Sequence, residues 1–531
     1  MRRNPMKNSN RRIKYVLCTF FSFLFLLIVK LFFLQIFPTE EVISQYTNNQ
    51  SEVVMDQRYQ VFDVNNKDLV NYKINYIVVF DNKPFQLNNY NGNLEELLTL
   101  NYIMKEEYSD FNFTDVIKNM GKTYYKISEE SYNKISKLLN LKGVYLYTSK
   151  EADVQKFYNI GNYIMNIDQS KDYESGTLEA HIKDVMKEND FPRRDFVLNN
   201  DSTYKDDGIN NIDNNKNIRL TIDKSIEDKI TKVLKREEFK DIKNAGVILL
   251  ESKTGKVKAM VQKNNDEANV NLCVNAMGYD PGSIYKLITL GAALDKGLIS
   301  MHSEFTCTGN ICNKKSVHGN LNLSEALVKS CNDVFGKVGS MVGYENLIEY
   351  SKNLGLYERV LVLSEETKGT IPKITAGMNN ISIGQCFTVS PIQIIGACNA
   401  IVNNGVYVKP KIVQSIFSKD GIFEDYNIEE RKVFDETSAL LIKDSMIDVV
   451  TRGTGKLAQV QNVTIGGKTG TANSFKENTV HGWFFGYFTI DDVEYSMLVF
   501  VPDIDNTNNI VEYGGGNTAS PIFKGIVDEL I

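Results

Sequence analysis

The pattern of apolar and polar positions divides the chain into three stretches. An almost unbroken apolar run, YVLCTFFSFLFLLIVKLFFLQIF, covers residues 15–37. The next stretch, to about residue 216, is rich in Asn, Tyr, Lys and Asp, with only short alternating segments such as INYIVVF. From residue 218 to the C-terminus, apolar residues recur at helical and strand spacing. The last stretch therefore predicts a succession of regular helices and strands.

The apolar run predicts a membrane-spanning helix. Only Lys30 and Gln35 interrupt it, and the tail before it is basic. A bilayer is crossed by about 20 apolar residues, and a basic flank stays in the cytoplasm. A buried core helix would be equally apolar, but the flanking charges favour the membrane. We therefore expect a cytoplasmic tail over 1–14, a single-pass transmembrane anchor over 15–37 and an extracytoplasmic chain beyond about Pro38.

The stretch 38–216 contains no set of residues that looks catalytic. Short alternating segments and one amphipathic pattern, ISEESYNKISKLLNLKG, predict mixed strands and helices there. Near its end, residues 198–217 read LNNDSTYKDDGINNIDNNKN and contain almost no apolar side chain. This composition predicts a linker or a long exposed loop.

The C-terminal stretch predicts an α+β domain. AGVILLESKTGKVKAMVQ indicates two strands joined by a tight turn, and VTIGGKTGTANS, GWFFGYFTI and YSMLVFVPDI indicate three more strands near the end. Between them lie several segments with helical spacing, with Ser or Thr near their starts and Gly after their ends. We expect one antiparallel sheet assembled from strands at both ends of the domain and covered by helices.

Composition and charge narrow the range of possible functions. The 531 residues are 42% hydrophobic and 24% charged, enough for two or three domains with packed cores. The formal net charge is -6 and basic residues cluster only at the N-terminus. A nucleic acid is therefore an unsuitable partner, since no basic surface would hold its phosphates.

The triplet Lys-Thr-Gly occurs twice, and its neighbours separate the two copies. The first, at 253–255, lies in the predicted turn between two strands. The second, at 468–470, follows a Ser-x-x-Lys pair and a Ser-x-Asn triplet in the chain. A phosphate-binding loop is excluded for the second copy, because Asn462 occupies the position that needs a glycine.

The Ser-x-x-Lys pair is Ser283 and Lys286, at the predicted start of a helix that Gly297 ends. Residues three apart share one helix face, so a partly desolvated Lys286 can take the proton of the Ser283 hydroxyl. A second Ser-x-x-Lys, Ser131 to Lys134, lies among charged residues and is expected to be a solvated face. What distinguishes Ser283 is the ordered trio that it begins.

Residues 218–531 resemble the transpeptidase domain of a class B penicillin-binding protein. The segments that carry this resemblance fall in that family's order: LTIDKSIED, SKTGKVKAM, GYDPGSIYKLIT, HGNLNLSEALVKSCNDVF, SIGQCFTVSPIQ, VYVKPKIV, TRGTGKLA and GKTGTA. It implies a serine β-lactamase/DD-peptidase-like domain, preceded by an anchor and an extended α+β pedestal over 38–216. No upstream segment is long enough for a glycosyltransferase domain, so class B and a separate glycosyltransferase partner are expected.

Two positions depart from the family pattern. The pedestal segment RYQVFDVNNKDL keeps Arg58 and Asp63 but lacks the usual glycines, and Cys386 stands where Gly usually follows SIGQ. The first departure lies in the pedestal. The second affects the local backbone at residue 386 and not the proposed chemistry.

The resemblance implies a peptidoglycan D,D-transpeptidase in a bacterial cell membrane, with stem peptides as substrates and β-lactams as inhibitors. Ser283 would be the nucleophile and Lys286 the general base. Ser330 would relay a proton to the leaving amine, while Asn332 would hold the substrate amide and orient Lys286. Catalysis of this kind requires no cofactor.

The same resemblance assigns the second Lys-Thr-Gly to substrate binding. Lys468 and Thr469 would bind the terminal carboxylate, and Gly470 would keep the strand edge open for the peptide. The N–H groups of Ser283 and Thr471 would form the oxyanion hole.

A metal site is a further hypothesis. Cys307, Cys312 and His318 lie within one short segment and could hold a structural zinc, with His302, Cys331 or a carboxylate as the fourth ligand. Two packed thiols, or a disulfide on this oxidising side of the membrane, are equally natural.

Two other functions remain open. A serine β-lactamase shares the motifs but is usually compact and secreted, whereas this chain has an anchor and a long outer region. A catalytically idle scaffold of the division or elongation machinery has no need of a complete catalytic set. A β-lactam sensor needs an intracellular output domain, for which the short tail leaves no room.

Overall fold

A computed structural model describes residues 5–36, 49–89, 94–119, 121–138, 141–152, 160–165, 167, 170–199, 201–210, 214–274, 276–312, 317–425, 427–474, 476–507 and 513–531. The chain forms two compact units that alternate along the sequence. The N-terminal unit comprises Met1–Asp56, Lys73–Glu151 and Phe191–Ile212, and the C-terminal unit comprises Gln57–Tyr72, Ala152–Asp190 and Asp213–Ile531. A single boundary near residue 217 therefore does not separate them.

The helices and strands are numbered here in chain order. The described helices are α1 (Pro5–Ile36), α2 (Asn82–Asn88), α3 (Leu94–Glu107), α4 (Phe113–Lys118), α5 (Glu129–Ile135), α6 (Ile160–Met165), α7 (Leu178–Met186), α8 (Lys224–Leu234), α9 (Lys286–Asp295), α10 (Leu323–Val328), α11 (Asn332–Val342), α12 (Tyr344–Asn353), α13 (Met378–Ile381), α14 (Pro391–Val402), α15 (Glu436–Thr451) and α16 (Ala519–Leu530). The described strands are β1 (Asn49–Val53), β2 (Val61–Phe62), β3 (Tyr72–Asp81), β4 (Lys122–Ile127), β5 (Val144–Ala152), β6 (Arg193–Leu198), β7 (Tyr204–Asn210), β8 (Asn217–Leu220), β9 (Gly246–Glu251), β10 (Val257–Gln262), β11 (Glu304–Cys307), β12 (Gly319–Asn322), β13 (Val406–Val408), β14 (Val413–Ser418), β15 (Gly421–Asp425), β16 (Glu430–Lys432), β17 (Gly466–Asn473), β18 (Thr479–Ile490) and β19 (Val493–Asp505).

The N-terminal unit contains α1 and two small sheets. Within the described residues, α1 is the one helix long and apolar enough to cross a membrane, through its segment Tyr15–Phe32. Strands β4, β3 and β5 form one sheet, and Phe80 on its apolar face packs on Phe85 and Phe111. Strands β1, β6 and β7 form the other.

The prediction of a linker over 198–217 is wrong for much of its length. Tyr204–Asn210 is strand β7, which pairs antiparallel with β6. All of its side chains are exposed or half-buried, so backbone hydrogen bonds to β6 hold most of it in the sheet, while Tyr204 also packs on Tyr145. An edge strand of this kind carries no apolar alternation, which is why the sequence pattern missed it.

The C-terminal unit is built around a five-stranded antiparallel sheet with the order β10-β9-β19-β18-β17. Strands from the beginning and the end of the unit thus meet side by side, as the pattern predicted. The first Lys-Thr-Gly is the turn between β9 and β10, where Gly255 adopts a φ of 69°. This copy therefore has a complete structural explanation.

Alternation along the central strands places apolar side chains on both faces of this sheet. Phe484 and Phe488 pack on one face, in a cluster that also holds residues of α8 and α16. Trp483 and Phe485 pack on the other face with α9 and α14. The sheet is therefore the middle layer of an α+β fold, and β17 is one of its edges.

Candidate active site

The predicted nucleophile lies in a tight turn that leads into α9. Gly282–Ile284 form a 3-10 turn, and the α-helix begins only at Lys286. The helix start predicted at Ser283 is thus displaced by this turn. Gly282 has a φ of 56°, and a side chain there would approach the carbonyl oxygen of Thr471 to 2.5 Å. Its own N–H donates to the carbonyl of Gly384 at 2.8 Å, so the turn is held between β17 and a second loop.

Lys286 is completely buried and makes three hydrogen bonds. Its Nζ donates to the carbonyl oxygen of Ser330 at 2.6 Å, to the Ser330 hydroxyl at 3.2 Å and to Asn332 Oδ1 at 2.6 Å. Burial lowers the pKa of Lys286 to about 7. A lysine with this pKa is partly neutral at physiological pH and can accept a proton.

The Ser330 hydroxyl connects the two buried lysines. Lys468 Nζ donates to it at 2.8 Å and to the carbonyl oxygen of Thr469 at 2.8 Å. Burial, and then the nearby Lys286, lower the pKa of Lys468 well below its usual value. Ser330 itself has a φ of 54°, an uncommon conformation for a residue with a side chain. The three motifs predicted from the sequence are thereby brought into one hydrogen-bonded group.

Strand β17 carries the second Lys-Thr-Gly along the edge of the sheet. A side chain at Gly470 would come within 2.9 Å of Ile284 and 3.1 Å of the Pro281 carbonyl oxygen, so only glycine fits beside the Ser283 turn. Thr471 is exposed, and its hydroxyl accepts from the Gly515 N–H at 3.3 Å. Ser283 is half-buried, and its hydroxyl makes no hydrogen bond within the described part of the chain.

Thr454 is a further candidate site residue, and no sequence motif predicted a role for it. It is exposed, and its hydroxyl lies 2.6 Å from the hydroxyl of Thr469. The loop that carries it follows α15, and a side chain at Gly453 would meet the Val328 carbonyl oxygen at 2.6 Å. The segment TRGTGKLA contained the available signal, a threonine between two glycines that must lie close to neighbouring backbone.

The predicted metal ligands come together with one further residue. The ligand atoms of Cys307, Cys312, His318 and Cys331 all lie within 4.8 Å of one another. The three cysteines are buried and form no disulfide. Cys312 Sγ and Cys331 Sγ are 3.7 Å apart, and Cys307 Sγ and His318 Nδ1 are 3.6 Å apart. Among the candidate fourth ligands, Cys331 lies in this cluster. It is the middle residue of the Ser-x-Asn triplet.

Cys386 adopts a φ of 67° and is exposed. Its N–H donates to Asp280 Oδ2 at 2.9 Å, and the pKa of Asp280 is raised to about 6 by burial. The positive φ explains why glycine suits this position, because glycine adopts it without strain.

Comparison with known proteins agrees with this geometry. The family model "Penicillin binding protein transpeptidase domain" matches residues 245–528. The chain is 27% identical over 453 residues to Stage V sporulation protein D of Bacillus subtilis, covering 76% of this chain and 67% of that protein. It is also 27% identical over 330 residues to peptidoglycan D,D-transpeptidase PbpA of Mycolicibacterium smegmatis, covering 53% and 66%. It thus spans about two thirds of the length of each relative.

A solved structure shares the fold. Penicillin-binding protein 3 of Mycobacterium tuberculosis, crystallised with aztreonam, aligns with a TM-score of 0.60 and 18% identity over 91% of this chain and 96% of that one. This likeness extends over nearly the whole chain and supports the α+β assignment. Because the family match covers more than half of its residues, this chain belongs to the penicillin-binding protein transpeptidase domain family.

Proposed function

We propose that this protein is a class B peptidoglycan D,D-transpeptidase that cross-links stem peptides through an acyl-enzyme on Ser283. One observation carries the proposal. Lys286, whose pKa is lowered by burial, and the buried Lys468 both donate to the Ser330 hydroxyl, next to the turn that holds Ser283. The names of the relatives agree with this activity.

In the first half-reaction, Ser283 Oγ attacks the carbonyl between the two terminal D-Ala residues. Lys286 Nζ accepts the hydroxyl proton, which requires its neutral form. The N–H groups of Ser283 and Thr471 stabilise the oxyanion, a contribution of about 3–4 kcal/mol per donor in other enzymes. The C–N bond then breaks, the leaving amine receives a proton through Ser330, and an ester on Ser283 remains.

In the second half-reaction, the amine of a neighbouring stem peptide attacks this ester. The new amide is the cross-link, and the Ser283 oxygen recovers its proton from the attacking amine through the same residues. The side chains of Lys468 and Thr469 bind the terminal carboxylate of the donor peptide by charge-assisted hydrogen bonds. The open edge of β17 lets the peptide backbone lie against Gly470 and Thr471.

Two alternative functions fit the observed features less well. A β-lactamase also forms the acyl-enzyme but hydrolyses it rapidly, and its usual compact form contrasts with the second unit and the apolar helix found here. An idle scaffold would not need buried lysines with lowered pKa values, because burying each ammonium group costs stability. The two buried lysines that donate to Ser330 therefore favour a catalytically active acyl transferase.

Helix α1, the one helix among the described residues that is long and apolar enough to cross a membrane, supports a single-pass anchor in the bacterial cell membrane with the catalytic unit outside. The transpeptidase cross-links glycan strands that another protein makes, so we include a separate glycosyltransferase as its partner.

We propose in addition that Cys307, Cys312, His318 and Cys331 hold a structural zinc ion. A tetrahedral site with Zn–S bonds of about 2.3 Å and Zn–N bonds of about 2.1 Å has edges of roughly 3.6–3.8 Å. The Cys312–Cys331 and Cys307–His318 separations, 3.7 and 3.6 Å, match these edges, and all four ligand atoms lie within 4.8 Å of one another. Catalysis does not require the ion to contact the substrate.

The transpeptidase assignment is tested by intact mass spectrometry of the full chain after incubation with a penicillin, beside Ser283→Ala. We expect a stable adduct of the drug mass that is absent from the variant. Rapid drug hydrolysis without a lasting adduct would indicate a β-lactamase. Neither adduct nor hydrolysis, together with no reaction of a D-Ala-D-Ala thioester analogue, would contradict the assignment.

A further inference from the structure

The carboxylate of Asp333 accepts an unusual number of hydrogen bonds. Its Oδ2 accepts from the Thr308 N–H at 2.7 Å, the Thr308 hydroxyl at 3.0 Å, the Gly309 N–H at 2.8 Å and the Asn310 N–H at 3.3 Å. Its Oδ1 accepts from the Ile311 N–H at 2.6 Å. Five donors around one buried side chain match an ionised carboxylate, which can only accept.

These bonds connect two separate parts of the site. Asp333 is the second residue of α11 and directly follows Asn332, whose side chain accepts from Lys286. The residues that it binds, 308–311, form the segment between β11 and Cys312. Asp333 therefore fastens this segment to the first turn of the helix that carries the Ser-x-Asn triplet.

The Ser-x-Asn triplet joins the end of α10, to which the Ser330 and Cys331 N–H groups donate, to the first residue of α11. Helix α10 ends at Val328 and α11 begins at Asn332, so Ser330 lies between two helices with a φ of 54°. All three hydrogen bonds of the Lys286 ammonium nevertheless end on Ser330 and Asn332. The position of the proposed base thus depends on what fixes the first turn of α11.

We propose that Asp333 is a positioning residue for acyl transfer, which holds Asn332 and Ser330 in place around Lys286 through its bonds to residues 308–311. It acts through Asn332 and touches no reacting atom. The inference rests on the proposed function, since it concerns the rate of Ser283 acylation.

The test uses Asp333→Asn, which keeps the side-chain shape but turns one acceptor into a donor that faces backbone N–H groups. Stopped-flow acylation by a chromogenic cephalosporin separates the non-covalent dissociation constant from the first-order acylation rate constant. We expect the rate constant to fall by about 10- to 100-fold, as for other small misplacements of catalytic groups. The dissociation constant should change less than about twofold, because Lys468 and Thr469 are not displaced.

A matched control is Asp223→Asn, at the N-cap of α8, where the carboxylate accepts from the Ser225 and Ile226 N–H groups. It should lower Tm while leaving the acylation constants unchanged. Thr308→Val removes only the hydroxyl donor to Asp333, so it provides a milder variant if Asp333→Asn does not fold. We expect a smaller loss of rate in the same direction.

Several results would overturn the inference. One is an unchanged acylation rate constant in Asp333→Asn or in folded Thr308→Val. Another is an equal loss of the rate constant in Asp223→Asn. A third is recovery of the Asp333→Asn rate constant on adding zinc, which would assign the loss to the metal. Failure of the wild-type chain to form any adduct would instead contradict the proposed function itself. The two failures are thus distinguishable in one experiment.

Discussion

Lys286 and Lys468 both donate to the hydroxyl of Ser330, at 3.2 and 2.8 Å, although each is completely buried. Two ammonium groups that share one acceptor without a carboxylate partner repel one another. The lowered pKa values of both lysines follow from burial first and, for Lys468, from this repulsion. A substrate carboxylate would relieve it, since it adds a negative charge beside Lys468.

The pH dependence of acylation should report Lys286. Its pKa is lowered to about 7 by burial, and the neutral amine is the form that accepts a proton. Below pH 7 the rate constant of acylation should therefore fall about tenfold for each pH unit, and above about pH 7 it should level off. Stopped-flow measurements between pH 5 and 9 test this. A rate constant that does not change over this range would contradict Lys286 as the base.

Replacement of Ser330 should affect chemistry more than folding. Ser330→Ala removes the acceptor shared by the two lysines and the proposed proton relay, so we expect acylation to slow by about 10²- to 10⁴-fold. Ser340→Ala is the control, because its hydroxyl bonds only the Gly336 carbonyl within α11. Equal rates for the two variants would show that the Ser330 hydroxyl has no part in the reaction.

Purified protein should contain one zinc ion per chain. Cys331→Ser should lose most of this zinc, because a serine hydroxyl is a far weaker zinc ligand than a thiolate. His302→Ala, outside the cluster, should keep it. Inductively coupled plasma mass spectrometry measures the content. Wild-type protein without stoichiometric zinc would contradict the zinc proposal. A Cys312–Cys331 disulfide found by peptide mapping would contradict it as well.

Cys386→Gly should stabilise the protein. The cysteine has a φ of 67°, a conformation that costs a side-chain-bearing residue about 1–2 kcal/mol and glycine very little. Greater freedom of glycine in the unfolded chain offsets about 0.5–1 kcal/mol of this gain. We therefore expect the free energy of unfolding to rise by about 0.5–1 kcal/mol, measured by urea denaturation. A decrease would mean that the thiol makes a contact more valuable than the strain that it causes.

Periodicity and motif order predicted much of this protein. Short apolar runs near 246–262 and 466–505, bounded by turn residues, predicted the strands of one antiparallel sheet, because a strand that is buried on both faces carries apolar residues at successive positions of the local sequence. The apolar run at 15–37 predicted α1, because a run of this length and composition is typical of a membrane-spanning helix. The ordered motifs also predicted Ser283, Lys286, Ser330, Asn332, Lys468 and Thr469 as candidate site residues. The fold joins Lys286, Ser330, Asn332 and Lys468 by hydrogen bonds.

Other features depend on contacts between distant residues, which no local pattern encodes. The strand β7 follows from hydrogen bonds to β6, and each of the two compact units is assembled from several separate segments of the sequence. Thr454 becomes a site residue only because its loop folds back onto Thr469, and Cys331 joins Cys307, Cys312 and His318 only because α11 begins beside β11. The residue types and their order are thus local properties of the chain. Distances, burial and the resulting pKa values arise when the folded backbone excludes water and brings remote groups together.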